Sequence, residues 1–133
     1  MEKVSAVILT RNNEKTIRQC LDSIKKIVDE IIIVDDGSSD KTVNIVKSFK
    51  SSKVFYRKLN NDFASQRNFG IGKAKNKLIM HIDSDEYLSL DLVRALDKLK
   101  MDSKKCYIVK RINKNFHGET IETLTGRPLI ADR

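Results

Sequence analysis

Twice within the first fifty residues a β-rich apolar run breaks off in a cluster of polar side chains, and apolar residues at helical spacing follow. Val4 to Leu9 ends in Thr10-Arg-Asn-Asn13, after which Ile17, Cys20, Leu21, Ile24 and Val28 recur along one helix face. Asn12 or Asn13 is placed to cap that helix, with Glu14 favourable in its first turn. Glu30-Ile-Ile-Ile-Val34 then runs straight into Asp35-Asp-Gly-Ser-Ser-Asp40, and Val43, Val46 and Phe49 mark a second helix. Strands that alternate with helices predict an α/β fold, a mostly parallel sheet with right-handed crossovers and helices flanking it.

The rest of the chain continues the pattern less regularly. Val54 to Leu59 is a strand candidate, Asn60-Asn-Asp62 a polar turn, and Phe63 to Lys75 contains a helix. Leu78, Ile79, Met80 and Ile82 form a short central strand that ends in Asp83-Ser-Asp-Glu86. Leu92, Val93, Leu96 and Leu99 mark a further helix capped near Ser89, and Cys106 to Ile112 alternates as a strand does. The last twenty residues, with Gly118, Gly126 and Pro128, suggest at most short strands.

The 133 residues fit one domain with a core that needs no staples. No apolar run reaches the ~18 residues of a membrane-spanning helix, and Val4 to Leu9 is too short and wrongly flanked for a signal peptide. Cytoplasmic residence is the expectation, and Cys20 and Cys106 read as buried, reduced thiols. A formal charge of +8 invites an anionic partner, but the lysines are dispersed, and no nucleic-acid motif or aromatic stacking segment is present. Phosphate loops of the Gly-x-x-x-x-Gly-Lys and Gly-x-Gly-x-x-Gly types are absent, as is a Gly-x-Ser-x-Gly elbow.

In a parallel sheet the polar clusters after the first strand (Thr10 to Glu14), the second (Asp35, Asp36) and the central one (Asp83, Asp85) share one edge, the edge at which ligands bind. Two carboxylates around Ser84 offer hard oxygen ligands to Mg²⁺ or Mn²⁺, which complete their shells with water and phosphate oxygens. Asp35 and Asp36 can accept hydrogen bonds from a base and a ribose, or make a loop and helix cap with Gly37. Arg67, amid small and amide side chains, suits a diphosphate through its planar fork, or a surface ion pair. His81 and His117 lack a partner at ligand spacing and read as structural.

Taken in order, Thr10-Arg-Asn-Asn-Glu14, Ile33-Val-Asp-Asp-Gly-Ser-Ser-Asp40, Phe63-Ala-Ser-Gln-Arg-Asn-Phe-Gly70 and His81-Ile-Asp-Ser-Asp-Glu86 resemble the nucleotide-binding half of family 2 glycosyltransferases with the GT-A fold. The segment Asn61-Asp-Phe-Ala-Ser-Gln-Arg-Asn68 is similar in particular to the lipooligosaccharide β-1,4-glucosyltransferase branch. The resemblance implies a single GT-A-like domain, a nucleotide-binding half over about residues 1–100 and a partial acceptor-side region over 101–133. It implies that Thr10, Asn12 and Glu14 line the base and ribose side, with Asn13 where relatives often carry Glu. Asp35 or Asp36 would meet uracil or ribose, Arg67 the base or diphosphate, Asp83 with Ser84 the donor, and Asp83 with Asp85 the Mn²⁺ or Mg²⁺.

The implied reaction is inverting transfer of a hexose from a nucleotide sugar, a UDP-sugar first, to a glycan or lipid-linked acceptor in cell-surface polysaccharide synthesis. An anionic membrane surface, the inner face included, is a further partner that the basic charge would suit, and nucleic acid is not expected. Members of the family continue well past the Asp-x-Asp, whereas this sequence stops at Arg133. Glu119, Glu122 and Asp132 are the late acids available as a catalytic base, and none sits in a matching motif. Three alternatives compete: a metal-dependent phosphoryl-transfer domain acting on nucleic acid, a receiver domain, and a non-catalytic donor-binding module. The first expects a glutamate where Thr10-Arg-Asn stands; the second expects paired acids after the first strand, not the second.

Overall fold

A computed structural model describes residues 2–114, 120–124 and 129–133. In chain order the elements are β1 (Val4–Thr10), α1 (Ile17–Ile24), β2 (Glu30–Asp35), α2 (Thr42–Lys47), β3 (Ser52–Tyr56) and α3 (Phe63–Lys73). They continue with β4 (Leu78–His81), α4 (Leu90–Lys98), β5 (Lys110–Lys114), β6 (Thr120–Leu124) and β7 (Ile130–Asp132). Five strands form one sheet in the order β3-β2-β1-β4-β7, and β5 and β6 form a separate antiparallel pair. β1 runs parallel to both β2 and β4, while β7 lies antiparallel against β4 and closes that side.

The two-residue side-chain period of the strands divides the core into two layers. Ala6, Ile8, Ile31, Ile33, Leu78 and Met80 face Ile17, Leu21 and Ile24 of α1, Val46 of α2 and Leu96 of α4. Val7, Ile32, Val34 and Ile79 face the other way, against Phe69 and Ile71 of α3. Burying each such side chain is worth roughly 1.5–3 kcal/mol against leaving it in water, which is why β1 and β2 read as near-continuous apolar runs. Gly70 lets α3 come that close: a Cβ there would sit 2.5 Å from Val7 Cγ1 and 3.0 Å from Val34 Cγ2.

Because α1 and α2 cross on one face and α3 returns over the other, the winding reverses between β1 and β4, and a crevice opens at the carboxyl ends of those strands. Several local expectations change at this level. Asn12 does not cap α1 but sits in the loop with φ of 52°, and Asn13 begins the turn through its carbonyl, which accepts from Thr16 N and Ile17 N. β3 ends at Tyr56, before Asn60 and Asn61 turn the chain with positive φ. Cys106 to Ile112 is not one strand: Tyr107 bridges Ile130, and β5 starts only at Lys110. Cys20 is buried as expected, but Cys106 is exposed. Ser89 caps α4, accepting from Leu92 N at 3.2 Å. His117, Gly118, Glu119, Gly126 and Pro128 lie outside the described residues.

Candidate functional site

The register of β1 on β2 sets Thr10 beside Asp35 at the carboxyl edge. Thr10 Oγ1 donates to Asp35 Oδ1 at 2.9 Å, and Ser38 Oγ donates to the same oxygen at 2.6 Å. Asp35 Oδ2 accepts from Gly37 N at 3.0 Å and Ser38 N at 2.8 Å. Asp35 is therefore a buried anchor for the loop after β2, with four hydrogen bonds in place of water. Its neighbour Asp36 faces outward. One Asp36 oxygen accepts from Leu59 N at 2.8 Å and the other pairs with Arg11 at 3.3 Å.

The loops after β1 and β2 are laced together. Asn12 N donates to Ser38 Oγ at 2.9 Å and Asn12 Oδ1 accepts from Ser39 N at 2.8 Å. Glu14 accepts from Lys41 N at 3.1 Å, while Glu14 N donates to Asp40 at 3.2 Å. Asn12 and Glu14 thus brace loop against loop and do not line the cavity beside them; Asn13 does. Across that cavity, Asp62 caps α3 by accepting from Ser65 N, and those Ser65 bonds hold its carboxyl below the usual range. One turn on, α3 presents Gln66 and Arg67.

Past β4, Asp83, Ser84 and Asp85 form a closed loop. Glu86 N donates to Asp83 O at 3.0 Å, and Glu86 Oε2 accepts from Asp83 N at 2.9 Å. The other Glu86 oxygen pairs with Arg111 of β5 at 3.1 Å, so the β5–β6 pair is tied to the acidic loop. From below, the Cys20 thiol donates to Asp83 O at 3.5 Å. Burial first, and the carboxylates of Glu86, Asp85 and Asp83 after it, push that thiol up to about 12. Arg67 reaches Asp83 from α3 at 3.7 Å.

Thr10, Asp36, Arg67, Asp83, Ser84 and Asp85 all line one open cavity of about 420 Å³ at the β1/β4 crevice. A wider recess of about 770 Å³ adjoins it on the β3 side, and Arg11 and Asp36 stand in the wall between. Two late acids do not reach this edge or are not described there. Asp132 pairs with Lys77 at 3.8 Å, opposite Leu78 at the start of β4, a full strand length from the carboxyl edge. Glu119 lies outside the described residues, and Glu122 takes its place in β6 opposite Ile112. Arg11, Gln66 and the Leu59 amide have no place in the sequence reading, and Asn13 appears there as a cap candidate and as the position where relatives often carry Glu. Arg11 stands inside the Thr10 to Glu14 cluster and could have been singled out; a backbone amide 23 residues from Asp36 leaves no trace in composition or spacing.

The glycosyl transferase family 2 model matches residues 5–128. The chain belongs to glycosyltransferase family 2. An uncharacterised glycosyltransferase of Rickettsia typhi is 36% identical over 92 residues, which are 69% of this chain and 31% of that protein. TarS of Staphylococcus aureus (residues 1–349) is 28% identical, with a TM-score of 0.60 over 70% of this chain and 30% of its own. Glucosyl-3-phosphoglycerate synthase of Mycobacterium tuberculosis, solved with UDP, is 25% identical with a TM-score of 0.52, over 64% of this chain and 34% of its own. The same synthase has been solved with Mn²⁺, UDP and glucosyl-3-phosphoglycerate. The chain thus spans about a third of the length of these similar proteins. Membership favours the transferase reading over the phosphoryl-transfer and receiver alternatives, and the sheet is that of the GT-A neighbours. Among the described residues of this family 2 chain, no helix is long and apolar enough to cross a membrane.

Proposed function

We propose that this chain binds a nucleoside-diphosphate sugar, a UDP-hexose first, in the cavity at the β1/β4 crevice and transfers the hexose with inversion to a hydroxyl of a glycan or lipid-linked acceptor. The reading rests on one observation: Thr10, Asp36, Arg67, Asp83, Ser84 and Asp85, drawn from four separate segments, line a single cavity. The UDP complex of the Mycobacterium synthase supports the choice of nucleotide. Asp36 offers a carboxylate to the N3–H of uracil, and Arg67 offers a planar fork to the diphosphate.

The donor set fits a divalent ion. Asp83 and Asp85 supply hard carboxylate oxygens on a loop that Glu86 holds closed, and Mn²⁺ or Mg²⁺ would take its remaining ligands from water and the donor's phosphates. When bound, the ion would supply Lewis-acid stabilisation to the departing diphosphate. Arg67 would leave Asp83 for the diphosphate as the donor enters, since both groups compete for the one guanidinium.

Isothermal titration of UDP into the protein, with Mn²⁺ and again with chelator, tests the reading. Metal-dependent UDP binding that Asp85→Ala weakens at least about tenfold is the expected result. Equal UDP affinity in Asp85→Ala with Mn²⁺ present would overturn the metal assignment; no UDP binding in either condition would overturn the choice of nucleotide.

A further inference from the structure

The charge of this chain is not dispersed once it is folded. In a parallel sheet every helix delivers the chain back to the amino ends of the strands, and these returns carry the lysines. Lys25 and Lys26 follow α1, Lys47 and Lys50 lie at the end of α2, and Lys75 and Lys77 precede β4; all six are exposed. Lys98, Lys100, Lys104 and Lys105 extend the same edge beyond α4, where Ser103 bonds to Glu2 at the start of the chain.

Carboxylates are fewer on this edge and are mostly engaged. Asp22 pairs with Lys25, Glu30 with Lys53, and Asp132 with Lys77, while Asp29 accepts from Val4 N. Lys26, Lys47, Lys50, Lys75, Lys100 and Lys105 pair with no carboxylate among the described residues. Lysines in a last helical turn, such as Lys47 and Lys98, are accounted for by the helix dipole. Lys26, Lys75 and Lys100 directly follow the C-cap residues Lys25, Ala74 and Leu99 and share in that attraction, whereas Lys105 stands clear of any helix end.

We infer that the amino edge of the sheet is an adsorption face for an anionic lipid bilayer. Five strands set side by side make this edge about 20 Å across before the helix layers are added, more than twice the ~8 Å screening length at physiological salt. A single phosphate or nucleotide would therefore meet only a fraction of the charge. The cations are lysines almost throughout, compact charges on flexible stems, which suit diffuse attraction better than the forked recognition that Arg provides. Among the described residues the two cavities set out above open at the carboxyl edge, at the other ends of the strands from this face. Among the described residues no helix is long and apolar enough to cross a bilayer, and the exposed lysines offer attachment by charge. The inference does not depend on the donor site, which lies at the opposite ends of the same strands.

Co-sedimentation with phosphatidylcholine vesicles, with and without phosphatidylglycerol, tests it across a salt series. The protein is expected to bind only the anionic vesicles and to be released by salt. The triple substitution Lys26→Gln, Lys47→Gln, Lys50→Gln is expected to weaken binding about fivefold per lysine. Its control, Lys15→Gln, Arg18→Gln, Lys41→Gln, removes the same charge from the carboxyl edge and should leave binding within about twofold of the parent, these groups lying beyond the screening length from the adsorbed face. Equal loss in both variants would overturn the inference, because binding would then follow net charge and not the face. So would failure of the parent to bind anionic vesicles, or tighter binding to duplex DNA than to vesicles at matched salt. UDP titration of both variants keeps a failure here distinct from a failure of the donor reading.

Discussion

Asp35 and Asp36 are neighbours in sequence and opposites in role, because burial, not residue type, decides what a carboxylate can do. Asp35 is fully buried and answered by four donors, whereas Asp36 holds the Leu59 amide and Arg11 at the cavity wall. The two cysteines divide in the same way. Cys20 sits under the acidic loop with its thiol held protonated, mainly by burial, and Cys106 is exposed. A thiol-specific reagent at mildly alkaline pH is expected to label Cys106 quickly and Cys20 only on unfolding, since the thiolate is the reacting species. Two fast-reacting thiols by mass spectrometry would contradict the burial of Cys20. The helical spacing of Ile17, Cys20, Leu21 and Ile24 already placed Cys20 on a buried face, whereas Cys106 has no such pattern around it to report its exposure.

At the scale of elements, α3 depends on one missing side chain. Gly70→Ala would force a methyl against Val7 and Val34, and overpacking of this kind costs about 1–3 kcal/mol. Urea unfolding is the check, and a midpoint unchanged from the parent would show that α3 can lift without cost. Gly72, two residues on, has open space about its Cβ position, so Gly72→Ala serves as the control. The first two strands and all four helices were legible because their apolar spacing matches a buried face. The end of β3, the start of β5 and the antiparallel seat of β7 were not. Those limits are set by pairing with remote strands, and β7 in particular is held by Met80 and Leu78, some fifty residues away.

Across the whole molecule, one side chain spans the amino edge of the sheet. Glu30 accepts from Ser5 Oγ at 2.6 Å and Lys75 N at 2.9 Å, and pairs with Lys53 at 3.4 Å, so β1, β2, β3 and the entry to β4 meet on it. Burial alone would raise its pKa, but the bonds from Lys75 and Ser5 and the Lys53 charge outweigh it and leave the pKa lowered. The sign follows: a carboxyl lowered in the folded state contributes stability above its unfolded pKa and loses it as pH falls through the folded one. Glu30→Gln is expected to destabilise the protein at neutral pH by about 1–3 kcal/mol, and to flatten its loss of stability on the acid side of the ordinary glutamate range. Parallel pH profiles for parent and variant would contradict this account.

The amino-acid order by itself determined the alternation of strand and helix and the placing of three polar clusters at strand ends, because local spacing and side-chain polarity act over a few residues. Family membership was legible for the same reason, in four motifs whose residues are close in sequence. Only the tertiary structure decided which acid of a pair faces the cavity, that Asn12 and Glu14 join loops, that Asp132 belongs to the far edge, and that lysines scattered along the chain form one face. Each of those depends on residues brought together from distant positions by strand order and register, and none is written in any single stretch of the chain.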